Sequence, residues 1–315
     1  MRVNVQLIDA IKGHHLWAER YDRTLEDVFE VQDEITNEIV TALDVKLGIG
    51  EQARHYRSKL KNPELRELFY QGRNLFNSGI RENNAEAFKV FSQLIERDPE
   101  SYLGYVWCAW SLWWRLFRGW GGSPAELLQS VKDYAEKALS LNKSSAGAIV
   151  ILGGVHLFQG EYPESIEMAD QALALSPNGA DVLTLGSFIY VMAGQTEKAI
   201  NACRSALRLS PVAQPMTYNL LGVSLREAGR YEEAIDSLKM AVSQAPGFIT
   251  ARYALVTVLL YAKRDVEAKQ EAHQLLSFDP EFDFIQYTER LPFRDREVNE
   301  KIRVGLSRAG IIPAG

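Results

Sequence analysis

Apolar and polar positions alternate at the start of the chain and then change period. Val3, Val5 and Leu7, and after them residues 14–21, put apolar side chains at about every second position, with Ala10 to Gly13 between the two runs. Alternation of this kind predicts a β-hairpin. From Val31 the apolar positions fall four apart, at Val31, Ile35, Ile39, Leu43 and Leu47, with Thr24 and Asp27 ahead of them and Gly48 and Gly50 behind. That spacing predicts an amphipathic helix. A lone hairpin with one helix is marginal in water. The helix must therefore pack on chain upstream of Met1 or on the helical region beyond residue 62. Residues 51–61 are polar and predict a helical linker.

Beyond residue 62 the helical period is itself repeated. Prolines stand at 177, 211, 246 and 280, in steps of 34, 35 and 34. Ser165, Ala199, Ala234 and Ala268 keep those steps, as do Ala172, Ala206, Ala241 and Leu275. Gly160, Gly194 and Gly229 do the same, with Lys263 in the fourth copy. Four residue classes in one register predict stacked pairs of antiparallel helices. The small residue lets the paired backbones approach, glycine ends the first helix in a left-handed conformation, and proline ends the second.

Two less regular units precede these. One begins at Asn62, which can cap the helix that Pro63 opens, and continues through Ala87, Phe91 and Leu94 to Pro99. The next runs from Tyr102 to Lys143. Pro99 and Pro177 are 78 residues apart, two periods plus ten, and the ten are expected in the loop from Arg118 to Pro124. About six units then span 62–282. Past Pro280, Val298, Ile302 and Leu306 predict a final amphipathic helix stopped by Gly310, a cover for the last unit.

The pattern resembles the tetratricopeptide repeat (TPR) family, whose unit is a 34-residue helix–turn–helix. The copy from Pro215 to Phe248 carries Tyr218, Leu221, Gly222, Gly229, Tyr231, Ala234, Ala241 and Pro246 where that family's pattern expects them. The resemblance implies a mainly α chain, a right-handed superhelix whose first helices line a concave surface. Residues 1–50 would be a small α/β remnant, and 283–315 a capping segment.

Carrying the family's register over unit by unit points a set of side chains at that surface. It comprises Trp110, Trp113 and Trp114, then Phe158, then Phe188 and Met192, then Asn219 and Arg226, then Tyr253 and Tyr261. Leu157, Val191, Val223 and Thr257 fall beside them. Five of the six tryptophans lie between 107 and 120. One reading is an aromatic groove for an extended or helical partner segment, since a good aromatic anchor contributes roughly 2 kcal/mol or more. The other is that the tryptophans fill gaps between irregular helices or bury the linker. Some TPRs grip a terminal carboxylate with Lys, Arg and Asn. Here those positions are mostly apolar, and only Asn219 and Arg226 could serve, which argues against such a clamp.

A second resemblance covers the start. Gln6-Leu7-Ile8-Asp9, the run from His15 to Asp22, and Gln32-Asp33-Glu34-Ile35 are similar to the end of the TolB-like α/β domain. The tail from Leu291 to Gly310 also resembles the ends of chains that carry that domain. In bacterial class III adenylate cyclases and some winged-helix regulators the domain joins an effector domain to C-terminal TPRs. The resemblance implies the C-terminal part of a multidomain signalling protein. A non-catalytic scaffold or sensor is one expectation, and the regulatory tail of such a cyclase is the other. Self-association through the hairpin edge or the groove is a third.

Composition and motifs fit a binding role. The chain is 46% hydrophobic and 24% charged, ordinary for a folded soluble protein. A net charge of −6 argues against nucleic acid as a partner. Cys108 and Cys203 read as small buried hydrophobes. The N-terminus is not signal-like, and the most apolar run, Tyr105 to Phe117, is interrupted at Arg115 and too short to span a bilayer. A cytoplasmic location is expected. His14 and His15 point to opposite faces of a strand and cannot easily share a metal. His156 and His273 are expected as packing or surface residues. Phosphate-loop, serine-hydrolase and zinc-protease motifs are absent from the sequence. Neither a cofactor nor a metal is expected, and the partner is a protein or peptide segment.

Overall fold

The computed structural model describes residues 2–8, 15–22, 56, 58–209 and 215–313. At its start two strands, β1 (Arg2–Ile8) and β2 (His15–Asp22), pair antiparallel. Val3 faces Tyr21 and Leu7 faces Trp17, and the register slips between Leu7 and Ile8. The expected hairpin is present. The expected helix from Val31 to Leu47, its cap at Thr24, His14 and Pro211 lie outside the described residues.

Among the described residues from 58 onward the chain is an α solenoid. Twelve helices pair consecutively as α1 (Pro63–Asn77) with α2 (Arg81–Arg97), α3 (Tyr102–Arg118) with α4 (Pro124–Leu141), and α5 (Ala146–Gln159) with α6 (Tyr162–Leu175). The series continues as α7 (Ala180–Met192) with α8 (Thr196–Leu209), α9 (Pro215–Glu227) with α10 (Tyr231–Gln244), and α11 (Ile249–Tyr261) with α12 (Asp265–Phe278). Each odd-numbered helix from α5 to α9 also packs against the next odd-numbered one, which builds an inner layer.

The punctuation residues have the expected causes. Gly160, Gly194 and Gly229 adopt φ of 80°, 81° and 74°, and Lys263 takes the same left-handed turn at 60°. Ser165, Ala199, Ala234 and Ala268 are fully buried between paired helices, and the Ser165 hydroxyl donates to the Gly153 carbonyl at 2.7 Å. Asn62 caps α1, its Oδ1 accepting from Leu65 N at 2.9 Å.

One expectation needs correction. The ten surplus residues of the second unit do not sit mainly in its loop. α3 and α4, with 17 and 18 residues, exceed the 14-residue helices of the next unit, and only three of the ten lie in the connection 119–123. The described part of the linker packs on the repeats. Tyr56 and Leu60 are buried, with the Tyr56 ring 4.9 Å from Phe69 and 6.4 Å from Trp107.

After α12 the chain turns back as a short helix α13 (Phe284–Arg290), then an irregular stretch, then α14 (Glu297–Arg308). Val298, Ile302 and Leu306 are buried, and α14 packs on α11 as the expected cover. Gly305 permits that approach, since a Cβ there would lie 3.1 Å from Leu260. Arg308 ties the cover down by pairing with Asp265 at 2.6 Å. No described helix is long and apolar enough to cross a membrane.

Candidate groove of the inner helices

The odd-numbered helices from α3 to α11 are buried on most sides, unlike the amphipathic α1. In α11 every residue from Thr250 to Leu260 is buried. Their inward side chains meet around one cavity of about 50 Å³. α3 supplies Trp110, Trp113 and Trp114, α7 supplies Phe188 and Met192, α9 supplies Asn219 and Arg226, and α11 supplies Tyr253. Of the ten side chains the sequence points at the groove, these converge. Phe158 and Tyr261 do not reach the cavity. Phe158 is half-buried behind Trp113, with ring centroids 6.1 Å apart, and Tyr261 lies 5.1 Å from the Arg226 guanidinium.

The aromatic floor is a continuous stack rather than an exposed patch. Trp113 stacks on Phe117 at 5.6 Å and meets Phe188 edge-on at 5.1 Å. It rests directly on the backbone of α5, where a Cβ on Gly154 would lie 2.7 Å from its Nε1. Trp107 points the other way, towards Tyr56 and Phe69, and so buries the linker. Trp107 thus packs as the gap-filling reading expects, and Trp110, Trp113 and Trp114 line the cavity.

Two guanidiniums are built into this apolar surface. Arg226 is 2% exposed. Its Nε donates to Glu227 at 2.7 Å and its Nη1 to Thr257 at 2.5 Å. Burial opposes its charge, but Glu227 and the flanking tyrosines carry its pKa above the ordinary value. Arg118 donates to Thr250 at 2.6 Å and lies over the rings of Trp120 and Phe248, at 5.0 and 5.5 Å. Burial lowers its pKa, with Tyr287 and Asp279 opposing. Asn219 Oδ1 and Arg226 Nη2 are buried with no hydrogen-bond partner among the described residues.

The sequence did not point to the other wall. Tyr287 of α13, followed by Leu291 and Phe293, closes the cavity from the concave side. The Tyr287 ring is 4.7 Å from Tyr253. Thr288 donates to the Phe284 carbonyl, so the Tyr253 hydroxyl donates to Thr288 Oγ1, at 2.6 Å. Arg294 N donates to the Met192 carbonyl at 2.8 Å, and the Tyr162 hydroxyl to the Phe293 carbonyl at 3.4 Å. The signal was present as aromatics at 282, 284, 287 and 293, outside the repeat.

Cys108 and Cys203 are free and buried, and burial pushes both thiols up to about 12. His156 pairs with Glu161, and His273 is exposed on α12. Among the described residues no cluster of His, Cys, Asp and Glu could hold a metal ion.

Comparison with known proteins agrees with this architecture. Residues 189–247 and 225–287 match family models described as tetratricopeptide repeat. The chain is 34% identical over 144 residues to "Putative adenylate cyclase 3" of Rhizobium meliloti (strain 1021), covering 46% of this chain and 24% of that protein. It thus spans about a quarter of that relative. The human IFIT1 dimer with m7Gppp-AAAA is similar in fold, with TM-score 0.59 and 18% identity over 92% of this chain and 73% of that one. The Cut9–Hcn1 APC/C hetero-tetramer is too, with TM-score 0.52 and 19% identity over 74% of this chain and 46% of that one. The helical hairpins over 189–287 are tetratricopeptide repeats.

Proposed function

We propose that this chain is a non-catalytic protein-binding scaffold whose inner-helix groove holds a segment of a partner protein. One observation carries the reading. The groove is lined by Asn219 and Arg226, whose Oδ1 and Nη2 are buried without partners, on a floor otherwise mostly aromatic and aliphatic. Buried polar groups are normally paired, and convergent polar groups on an apolar concave surface are the usual form of a recognition site. Peptides selected by display against the full chain test it. Binders weakened at least tenfold by Asn219→Ala or Arg226→Ala support the groove. Binders indifferent to both substitutions remove it.

A second reading rests on the similarity to the Rhizobium protein. The groove would then act on an attached effector, as the regulatory tail of a class III adenylate cyclase. The N-terminal hairpin would be the end of a TolB-like domain that links the two. Adding the full chain in trans to the N-terminal part of that relative, and measuring cyclic AMP formation, tests this. A rate unchanged at saturating chain discards it.

A further inference from the structure

The groove is occupied by the chain itself. Residues 283–294 cross it as a short helix and an extended tail, held mainly by inserted side chains. Phe284, Tyr287, Leu291 and Phe293 are all buried. Phe293 lies under Arg226, 5.8 Å from its guanidinium carbon. Arg290 reaches across Gly119, where even a Cβ would collide with its Nη1. Aromatic anchors in pockets with a few main-chain hydrogen bonds are how a bound peptide is held.

This occupant fits incompletely. It leaves about 50 Å³ unfilled above the floor. It offers no partner to Asn219 Oδ1 or Arg226 Nη2, and buried polar atoms without partners raise the free energy of the closed state. Both ends of the segment are tied elsewhere, to α12 and to α14, and α14 has its own anchorage on α11. The segment can therefore leave the groove without the cover coming off.

We propose that residues 283–294 are a built-in competitor for the groove. The external partner is a peptide segment with the same aromatic spacing, which binds by displacing them. This rests on the groove being the partner site. An intramolecular occupant lowers the apparent affinity of any external one by the fraction of molecules that are open. Tethering gives it an effective concentration in roughly the millimolar range.

The test uses the full chain and a fluorescein-labelled peptide of residues 281–295 as probe. In the Tyr287→Ser/Phe293→Ser variant the peptide should bind at least tenfold more tightly than to the unsubstituted chain, read by anisotropy. In the unsubstituted chain, saturating peptide should speed amide hydrogen exchange over 284–293 while α7 and α9 remain protected. Equal affinity for the two chains, or unchanged exchange over 284–293, overturns the competitor. The exchange map separates the two ideas: protection by peptide on α7 and α9 without release of 284–293 keeps the groove and discards the competitor, and protection elsewhere discards both. Circular dichroism checks that the variant stays helical. Should it unfold, the exchange experiment on the unsubstituted chain decides alone.

Discussion

In every hairpin after the first, inner and outer helices are buried to very different degrees. In α12 only Ala268, Ala272 and Leu275 are buried, one narrow stripe, whereas α11 is buried without interruption from Thr250 to Leu260. The pair α9 and α10 differs in the same way. An outer helix needs one apolar stripe because solvent covers the rest. An inner helix of an open solenoid would need a polar face on its concave side. Here that face is apolar because α13 and the tail behind it cover it. The contrast thus reports the covering segment as directly as the contacts do.

The difference can be broken at its strongest point first. Trp113 is 1% exposed and stacked between Phe117 and Phe188, so Trp113→Ala should cost about 3–5 kcal/mol in urea unfolding. Met240 on the outer helix α10 is 44% exposed, and Met240→Ala should stay within about 0.5 kcal/mol. Similar losses for the two would refute the asymmetry. Next is the seam between the layers. A Cβ on Gly222 would overlap Leu238 Cγ, and Leu238 is fully buried, so Gly222→Ala should cost about 1–3 kcal/mol by overpacking. A neutral result would mean that α9 and α10 are less tightly seated than the structure has them.

A smaller effect tests the cover through Tyr287 and the tyrosines of α11. Burial raises the pKa of Tyr253, Tyr261 and Tyr287 above the ordinary 10.0, with Tyr261 at about 12. A phenol whose folded pKa is raised contributes stability that is fully present below its unfolded pKa. That contribution is lost as pH rises from about 10 towards the folded value. The melting temperature should therefore be level, for this contribution, up to about pH 9 and fall above pH 10. Tyr253→Phe should make the fall shallower. An unchanged slope in that variant would show that Tyr253 does not stay neutral under the cover.

Much of this was legible in the sequence, for a local reason. Gly160, Gly194 and Gly229 mark a backbone conformation, and Ala199, Ala234 and Ala268 mark a distance between helices. Both constraints act within one hairpin, so they repeat with it. The placement of the ten surplus residues was not legible, because lengthening α3 and α4 continues the same helical pattern and leaves no punctuation. The covering segment was not legible from periodicity either, since residues 283–294 belong to no repeat. Yet the apolar groove positions that argue against a carboxylate clamp also say that something covers them. A run such as ADVLTLGSFIYVM, apolar on all sides, predicts a helix with no solvent face.

The smallest predicted effect concerns the turn shared by four hairpins. Gly194 turns at φ 81° into open space, with no heavy atom within 4 Å of where a Cβ would sit. Lys263 makes the same turn at φ 60° and is exposed. Apart from the attraction of Lys263 to Asp265, which helps lower the Asp265 pKa, the difference is one of backbone preference. Left-handed backbone costs a residue with a Cβ about 1–2 kcal/mol, partly offset because glycine loses more freedom on folding. Lys263→Gly should stabilise the last hairpin by up to about 1 kcal/mol, and Gly194→Ala should cost a comparable amount. Paired chemical-denaturation curves measure both. If Lys263→Gly destabilises instead, the attraction of Lys263 to Asp265 outweighs the strain of the turn, and the fourth turn is not equivalent to the other three.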